Sequence, residues 1–84
     1  MSDAESVRLD RWLWAARFFK TRRLAVDAIK AGRVSVDGAR AKPARAIRAG
    51  QRLGIRKGPR HFEVDVDGLA EQRGPAAEAA RLYT

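Results

Sequence analysis

The sequence predicts an α+β fold in which two short helices pack against a small, mostly antiparallel sheet, followed by a short C-terminal helical tail. Apolar residues recur at helical spacing in two segments near the N-terminus. From residue 33 to residue 67 the pattern changes to short alternating runs separated by turns with glycine, which is typical of antiparallel strands. A chain of 84 residues has room for one domain with a modest core.

We divide the chain into a flexible lead at residues 1–7, a folded domain at residues 8–67 and a tail at residues 68–84 that is partly helical. The lead is polar and too short to hold a structure of its own. Within the tail, Gly74–Pro75 opens a helical segment from Ala76 to Leu82, because proline suits the first position of a helix.

The first helix is predicted from Arg8 to about Phe18. Its apolar stripe consists of Leu9, Trp12, Leu13 and Ala16. The spacing of three and four residues places these side chains on one face. Trp14 lies off the stripe, so it is either a further core residue or part of a surface that contacts a base or the tail.

The second helix is predicted from Arg22 to Ala31. Thr21 precedes it and is a suitable N-cap, because its hydroxyl can accept a hydrogen bond from a free backbone N–H. Gly32 follows it, where a residue in the left-handed conformation ends many helices. The predicted apolar face consists of Leu24, Ala25, Ala28 and Ile29.

Three strands have a clear signal. They are Arg33–Val36, Leu53–Arg56 and Phe62–Val66. Asp37–Gly38 predicts a tight turn after the first of them, and residues 39–42 can return as a short arm that ends at Pro43. Residues 44–48 have no clear signal apart from Ile47, which we expect in the core.

The positive charge is concentrated in the middle of the chain. Between Arg8 and Arg60 there are 16 Lys and Arg residues against three acids, whereas the two ends together hold two Arg residues and seven acids. The net charge is +8. Such a polarised chain attracts polyanions, which makes nucleic acid the leading partner; the alternative is a surface that only confers solubility.

Composition argues against several other classes. The absence of cysteine excludes disulfides and cysteine-ligated zinc, and a lone His61 with scattered acids predicts neither a metal site nor catalysis. No phosphate loop or other cofactor motif is present. No apolar run approaches the length of about 20 residues that spans a bilayer, and the N-terminus is not a secretory signal. We therefore expect a cytoplasmic, non-enzymatic protein without a cofactor or a membrane partner.

The candidate nucleic-acid contacts cluster around the second helix and the first hairpin. They are Arg8, Lys20, Thr21, Arg22, Arg23, Lys30, Arg33, Arg40 and Lys42. The start of the second helix is a natural phosphate site, because its free N–H groups and positive dipole end favour anions. Arginine adds bidentate binding of phosphate oxygens.

Several of these residues stand in a recognisable order. The relevant stretches are Arg8–Leu9–Asp10, Lys20–Thr21–Arg22 and Gly32–Arg33–Val34–Ser35–Val36–Asp37–Gly38. Over about residues 7–56 the chain resembles the S4-type RNA-binding domain, also called the αL motif. Two further stretches, WLWAARFFKTR and EQRGPAAEAARLY, resemble the heat-shock protein 15 branch of that family.

The resemblance implies that residues 8–67 form an S4-like RNA-binding domain, and that its helices and hairpin bind structured RNA. It implies ribosomal RNA of the large subunit as the target, in a stress or stalled-nascent-chain context, with tRNA as a further RNA partner. The positions that match the family's binding surface are Arg8, Lys20, Thr21, Arg22, Arg23, Lys30, Arg33 and Lys42. Asp37 replaces the commoner Asn of the turn, and typical members of the branch continue beyond the position of Thr84 into a basic extension.

Other functions remain open at this point. One is an RNA-binding appendage related to an RNA-modifying enzyme, and another is a DNA-binding helix-turn-helix protein. A third is a protein–protein adaptor that uses Trp14, Phe18 and Phe19. For the leading reading we expect a monomer that binds single-stranded or duplex DNA only non-specifically.

Overall fold

The structure, a computed structural model, describes residues 6–84 and confirms the predicted α+β fold. Its helices are α1 (Leu9–Ala15), α2 (Arg22–Lys30) and α3 (Ala76–Ala79), the last continued by a 3₁₀ turn at Ala80–Leu82. Its strands are β1 (Val7–Arg8), β2 (Val34–Val36), β3 (Ala39–Arg40), β4 (Ala46–Ile47), β5 (Arg52–Lys57) and β6 (Arg60–Asp65). Four strands form an antiparallel sheet in the order β3-β2-β5-β6, and β1 pairs separately with β4. Side chains from α1, α2 and the sheet share one hydrophobic core.

α1 ends at Ala15, before the predicted end at Phe18, because Arg17 adopts a left-handed backbone with φ of 69°. The Arg17 N–H donates to the Trp14 carbonyl oxygen at 3.1 Å. The Phe18 N–H donates to the Leu13 carbonyl oxygen at 3.0 Å. These two hydrogen bonds form a Schellman motif, which commonly has glycine at the left-handed position. The turn directs Phe18 into the core.

The predicted start of α2 and the roles of Thr21 and Gly32 at its ends are confirmed, but the helix ends at Lys30 and Ala31 is its C-cap. The Thr21 hydroxyl accepts a hydrogen bond from the Leu24 N–H at 3.1 Å. Gly32 has φ of 78° and its N–H donates to the Ile29 carbonyl oxygen at 3.0 Å. The left-handed backbone at this position suits glycine because it has no Cβ.

The predicted apolar face of α2 is wrong for Leu24, which is 48% exposed. Ala25, Ala28 and Ile29 are buried and form the contact with α1 and the sheet. Leu24 lies at the margin of this face, because one residue along a helix rotates the side chain by about 100°.

The Asp37–Gly38 turn is confirmed, with positive φ at both residues as a type I′ hairpin turn requires. The Asp37 carboxylate also accepts hydrogen bonds from the neighbouring strand, from the Arg52 N–H at 2.9 Å and from Nε2 of Gln51 at 3.2 Å. The hairpin is therefore fixed to β5 as well as closed by its own turn.

The start of the folded domain differs from the prediction, since Val7 was assigned to the flexible lead. Val7 is buried and pairs with Ile47 in the β1–β4 ladder, while residues 1–5 lie outside the described part. The β4 strand falls in the segment without a sequence signal. It forms because the Leu9 N–H donates to the Arg45 carbonyl oxygen at 2.8 Å and the Asp10 N–H to that of Pro43 at 3.2 Å.

The tail docks on the body. Tyr83 forms a bridge with Val66, and the Trp12 indole N–H donates to the Gly68 carbonyl oxygen at 2.8 Å. An aromatic cluster closes around this contact, made of Trp12, Phe18, Phe62 and Tyr83. The helical segment lies where the sequence predicts it, except that Pro75 is the N-cap and not the first helical residue. Residues 68–84 therefore share the core with residues 8–67.

Residues 6–84 contain neither a membrane-spanning helix nor a cluster of metal ligands. No helix there has the length and apolar character needed to cross a membrane. No group of three or more acidic or histidine side chains there could hold a metal ion.

Candidate nucleic-acid interface

A buried carboxylate organises the start of both helices. Asp10 is 1% exposed, and Arg8 donates to it through Nε at 3.1 Å and through Nη2 at 3.0 Å. Nη2 of Arg22 lies 3.6 Å from the same carboxylate. Because an isolated buried charge is costly, Asp10 needs these partners. Asp10 thus holds two guanidinium groups from different elements side by side at the surface.

Arg22 reaches solvent with the end of its side chain only. Its Nε is buried and has no hydrogen-bond partner within residues 6–84, while 39% of the side chain stays exposed. A guanidinium carries five N–H donors, so donors remain for an incoming acceptor. Phosphate oxygens match the planar fork of arginine and bind it in a bidentate manner.

The remaining candidates at the start of α2 extend this cluster. Lys20 and Thr21 are exposed immediately before the helix, but the Thr21 hydroxyl is engaged as the helix cap. Arg23 is also exposed and forms an ion pair of 3.5 Å with Asp27. Exposed pairs of this kind contribute little to stability, so Arg23 can exchange Asp27 for a phosphate at low cost.

Lys42 joins the same cluster from another part of the chain. It is exposed and precedes Pro43, whose carbonyl oxygen accepts from the Asp10 N–H. Arg45 lies on the same loop, is exposed, and was not among the sequence candidates. Its carbonyl oxygen accepts from the Leu9 N–H, which places the residue beside the start of α1. The only signal in the sequence was its position three residues after Lys42.

Three candidates lie at the other end of α2. Nη2 of Arg40 donates to the Lys30 carbonyl oxygen at 2.9 Å, and the guanidinium lies over Gly32. A cation in this position satisfies a free carbonyl and the negative end of the helix dipole. Lys30 and Arg33 are exposed nearby. A nine-residue helix is about 13 Å long, so the predicted set divides into two groups separated by that length.

The sheet adds cations that sequence reasoning missed. Arg56 and Lys57 are exposed at the end of β5, and the Arg56 N–H donates to the Arg33 carbonyl oxygen at 2.9 Å. This brings Arg56 to the second group. Their proximity depends on the pairing of β2 with β5, which has no local signal in the sequence.

The acids of β6 lie apart from these groups. Asp65 accepts a hydrogen bond from Nε of Arg52 at 2.9 Å, and Glu63 lies 3.8 Å from the same guanidinium. The hydrogen bond and charge of Asp65 raise the pKa of Arg52 above its ordinary value. Arg52 therefore lies beside two acids of β6, whose negative charge disfavours a phosphate at this position.

Comparisons with known proteins agree with this architecture. A family model described as the S4 domain matches residues 7–53. A solved structure of Vibrio cholerae heat shock protein 15, described as trimeric, is 42% identical with a TM-score of 0.91, and the match covers 95% of this chain and 81% of that one. The trimer counts against the monomer that the sequence analysis expects.

Two groups of curated relatives match nearly the whole chain. Heat shock protein 15 of Escherichia coli K12 is 49% identical over 80 residues, which cover 95% of this chain and 60% of the relative. The RQC P-site tRNA stabilizing factor of Listeria innocua is 33% identical over 81 residues, which cover 96% of this chain and 87% of the relative. This chain thus spans about 60% of the length of the heat shock protein 15 relatives. It belongs to the S4-domain family, in the heat shock protein 15-like branch.

Proposed function

We propose that this protein is a non-enzymatic RNA-binding protein that binds structured ribosomal RNA through the cluster at the start of α1 and α2. The observation that carries the proposal is the pair of half-exposed arginines, Arg8 and Arg22, held in place by the buried carboxylate of Asp10. Two guanidinium groups fixed side by side bind the phosphates of a folded backbone with little loss of side-chain freedom.

Recognition of the RNA is mainly through phosphates and shape. The aromatic cluster of Trp12, Phe18, Phe62 and Tyr83 is occupied by core packing, so these rings do not present a stacking surface for bases. Around the cluster, Lys20, Arg23 and Lys42 add positive charge. Such an arrangement suits a structured duplex or junction, which proteins read through backbone contacts.

We further propose the large ribosomal subunit as the target, in a stress or stalled-nascent-chain context. Membership in the heat shock protein 15-like branch supports this proposal. The name of the Listeria relative, a P-site tRNA stabilizing factor, supports a site near a tRNA. A chain with this role acts in the cytoplasm, where ribosomes are.

Co-sedimentation with separated ribosomal subunits, at two salt concentrations and with duplex DNA as competitor, tests the proposal. We expect retention on the large subunit that falls with salt and resists the DNA. The double variant Arg8→Gln/Arg22→Gln should lose retention. Arg60→Gln/Arg81→Gln is the matched control, because it removes the same charge from exposed positions outside the cluster. Equal loss in both variants, or displacement by DNA, would leave only a general attraction to polyanions.

The oligomeric state is checked on the same material by sedimentation equilibrium. A mass near 9.3 kDa would restore the monomer expected from the sequence. A mass three times larger would extend the trimer described for the Vibrio cholerae relative to this chain.

A further inference from the structure

A second site opens on the other side of α2, away from the Asp10 cluster. It is a groove of about 410 Å³ between α2 and the tip of the β5–β6 hairpin. Its apolar part is lined by Phe19, Leu24 and Ala28. This volume lies within the range of roughly 300–1,000 Å³ that is typical of small-molecule sites.

Leu24 makes the groove unusual for a surface. Among the residues that the structure describes, it is the large hydrophobic side chain left exposed, at 48%. The α1–α2 contact does not need it, because Ala25, Ala28 and Ile29 make that contact. Because Leu24 lies inside a concave site, it offers an apolar contact to a bound ligand.

The rim of the groove is positive. Arg33, Arg56 and Lys57 line it, and none of them forms an ion pair within residues 6–84. The Lys57 ammonium lies 5.4 Å from the centroid of the Phe19 ring, which holds the charge over the groove. Asp27 also lines the groove, so three cations and one acid surround it. The occupant therefore combines an apolar face with negative charge.

We infer that this groove binds one unpaired nucleotide of the RNA, with its base against Leu24 and its phosphate between Arg33 and Arg56. A nucleotide is the unit of RNA that carries both a flat apolar face and an anion, and unpaired bases are the ones that proteins can take out of the stack. The inference rests on the proposed RNA-binding function. It adds a preference for RNA with a bulged residue, which phosphate contacts at the Asp10 cluster do not provide.

The test measures affinity for three RNA hairpins that differ at one position. The first is fully paired, the second has a single unpaired adenosine, and the third has an abasic residue at that position. We expect the wild-type chain to bind the adenosine bulge about tenfold more tightly than the abasic one, a difference of about 1.4 kcal/mol, because only the adenosine supplies a base to the groove. Equal binding of all three RNAs would overturn the inference and leave the proposed function intact. Binding of none would overturn both.

Leu24→Gln isolates the base contact. The change keeps the net charge. It removes an apolar side chain that is half exposed, but the new glutamine forms a capping box with Thr21, so we expect the melting temperature to stay the same. It should abolish the preference for adenosine over the abasic residue while affinity for the paired hairpin stays the same. A preserved preference would exclude Leu24 from the site. A shift of sedimentation mass to a smaller species, with the preference unchanged, would assign the groove to a second copy of the chain instead.

Arg56→Gln tests the phosphate part of the groove. It should weaken binding of both bulged RNAs by the same factor, and by more than it weakens binding of the paired hairpin. Arg60→Gln is its matched control, because Arg60 lies on the same hairpin, has the same charge and does not line the groove. If both variants behave alike, the rim contributes only general charge and the phosphate site is wrong.

Discussion

At the scale of single residues, Asp10 connects the fold to the candidate interface. It is one negative charge within a basic region, and its carboxylate is almost fully buried between Arg8 and Arg22. Two effects on RNA binding oppose each other. The negative charge repels phosphates, whereas the hydrogen bonds from Arg8 and the ion pair with Arg22 fix the two guanidinium groups that bind them.

The substitution Asp10→Asn distinguishes the two effects, because they predict changes of opposite sign in RNA affinity. The substitution raises the net charge by one unit, so electrostatics alone predicts tighter RNA binding. We expect weaker binding, because the amide loses the negative charge and one of the two acceptor oxygens that hold Arg8 and Arg22 in place. Stability should fall by about 1.5–3 kcal/mol, the usual contribution of a hydrogen bond to a charged group. Titration with a hairpin RNA and urea unfolding measure the two quantities; tighter binding would show that orientation is unimportant.

Arg17 stores strain at the end of α1. Its left-handed backbone costs a residue with a side chain about 1 kcal/mol more than glycine. The guanidinium compensates by donating twice to the Gly74 carbonyl oxygen, at 3.1 and 2.8 Å. The turn therefore depends on a contact with the tail.

We predict that Arg17→Gly is more stable than Arg17→Ala by about 1 kcal/mol, because both lose the contact with Gly74 and only glycine relieves the strain. Urea unfolding of the two variants measures the difference. At Asp27, in the interior of α2, the order should reverse, since glycine in a helix interior is less stable than alanine by about 1 kcal/mol. If the alanine variant is the more stable one at both positions, the Arg17 backbone is not left-handed.

At the scale of elements, the tail behaves as part of the domain. The Tyr83 ring lies 4.7 Å from that of Phe18 and 6.4 Å from that of Trp12, measured between centroids. The backbone of Thr84 exchanges two hydrogen bonds with Asp65, which extends the β6 edge. A boundary between residues 67 and 68 therefore describes the sequence pattern and not a separate folding unit.

Tyr83→Ala should lower the free energy of unfolding by about 2 kcal/mol. This loss is smaller than the one expected on truncating a fully buried aromatic residue, because Tyr83 is only partly buried. Unfolding should remain a single transition when it is followed by both tryptophan fluorescence and circular dichroism. Two separate transitions would support the boundary at residue 67. The exposed Leu24→Ala serves as the control, with an expected loss well below that of Tyr83→Ala.

The elements that could be predicted are those with local chemical signals. Thr21 and Gly32 define the ends of α2, and Asp37–Gly38 defines the hairpin turn, because each position requires a specific backbone or cap. Arg17 could not be predicted, since its strain is offset by a contact with the tail. The β1–β4 pair could not be predicted either. Strands of two residues are too short to show an alternating hydrophobic pattern, and each strand is held by a partner that is distant in the sequence.

The candidate site divides along the same line. Arg8, Lys20, Arg22, Arg23 and Lys42 could be found because they are close in sequence or match a family pattern. The role of Asp10 as a shared acceptor could not, because it depends on the crossing of α1 and α2. Arg56 and Lys57 reach the groove through strand pairing and give no local signal.

At the scale of the whole molecule, charge separation determines how binding responds to salt. The acids of β6 are paired with Arg52, so the cations of the helices remain available to bind RNA phosphates. Each phosphate contact releases counterions on binding.

The Asp10 cluster offers five cations to RNA phosphates, namely Arg8, Lys20, Arg22, Arg23 and Lys42. If each contacts one phosphate, a plot of log affinity against log salt concentration has a slope of about −3.5 to −4.5. Fluorescence anisotropy with a labelled hairpin RNA at several salt concentrations measures it. Arg22→Gln should reduce the slope by about one unit. A slope near zero would instead favour an adaptor that binds a protein through apolar contacts.

The hydrogen bond from the Trp12 indole to the Gly68 carbonyl oxygen also affects when the chain can fold during translation. It joins a residue made early to one made late, and Tyr83 completes the same cluster even later. While the chain is being translated, the aromatic core therefore cannot close until residue 83 has left the exit tunnel. The packing around Trp12 is therefore complete only after the segment that carries Tyr83 has been synthesised and has emerged.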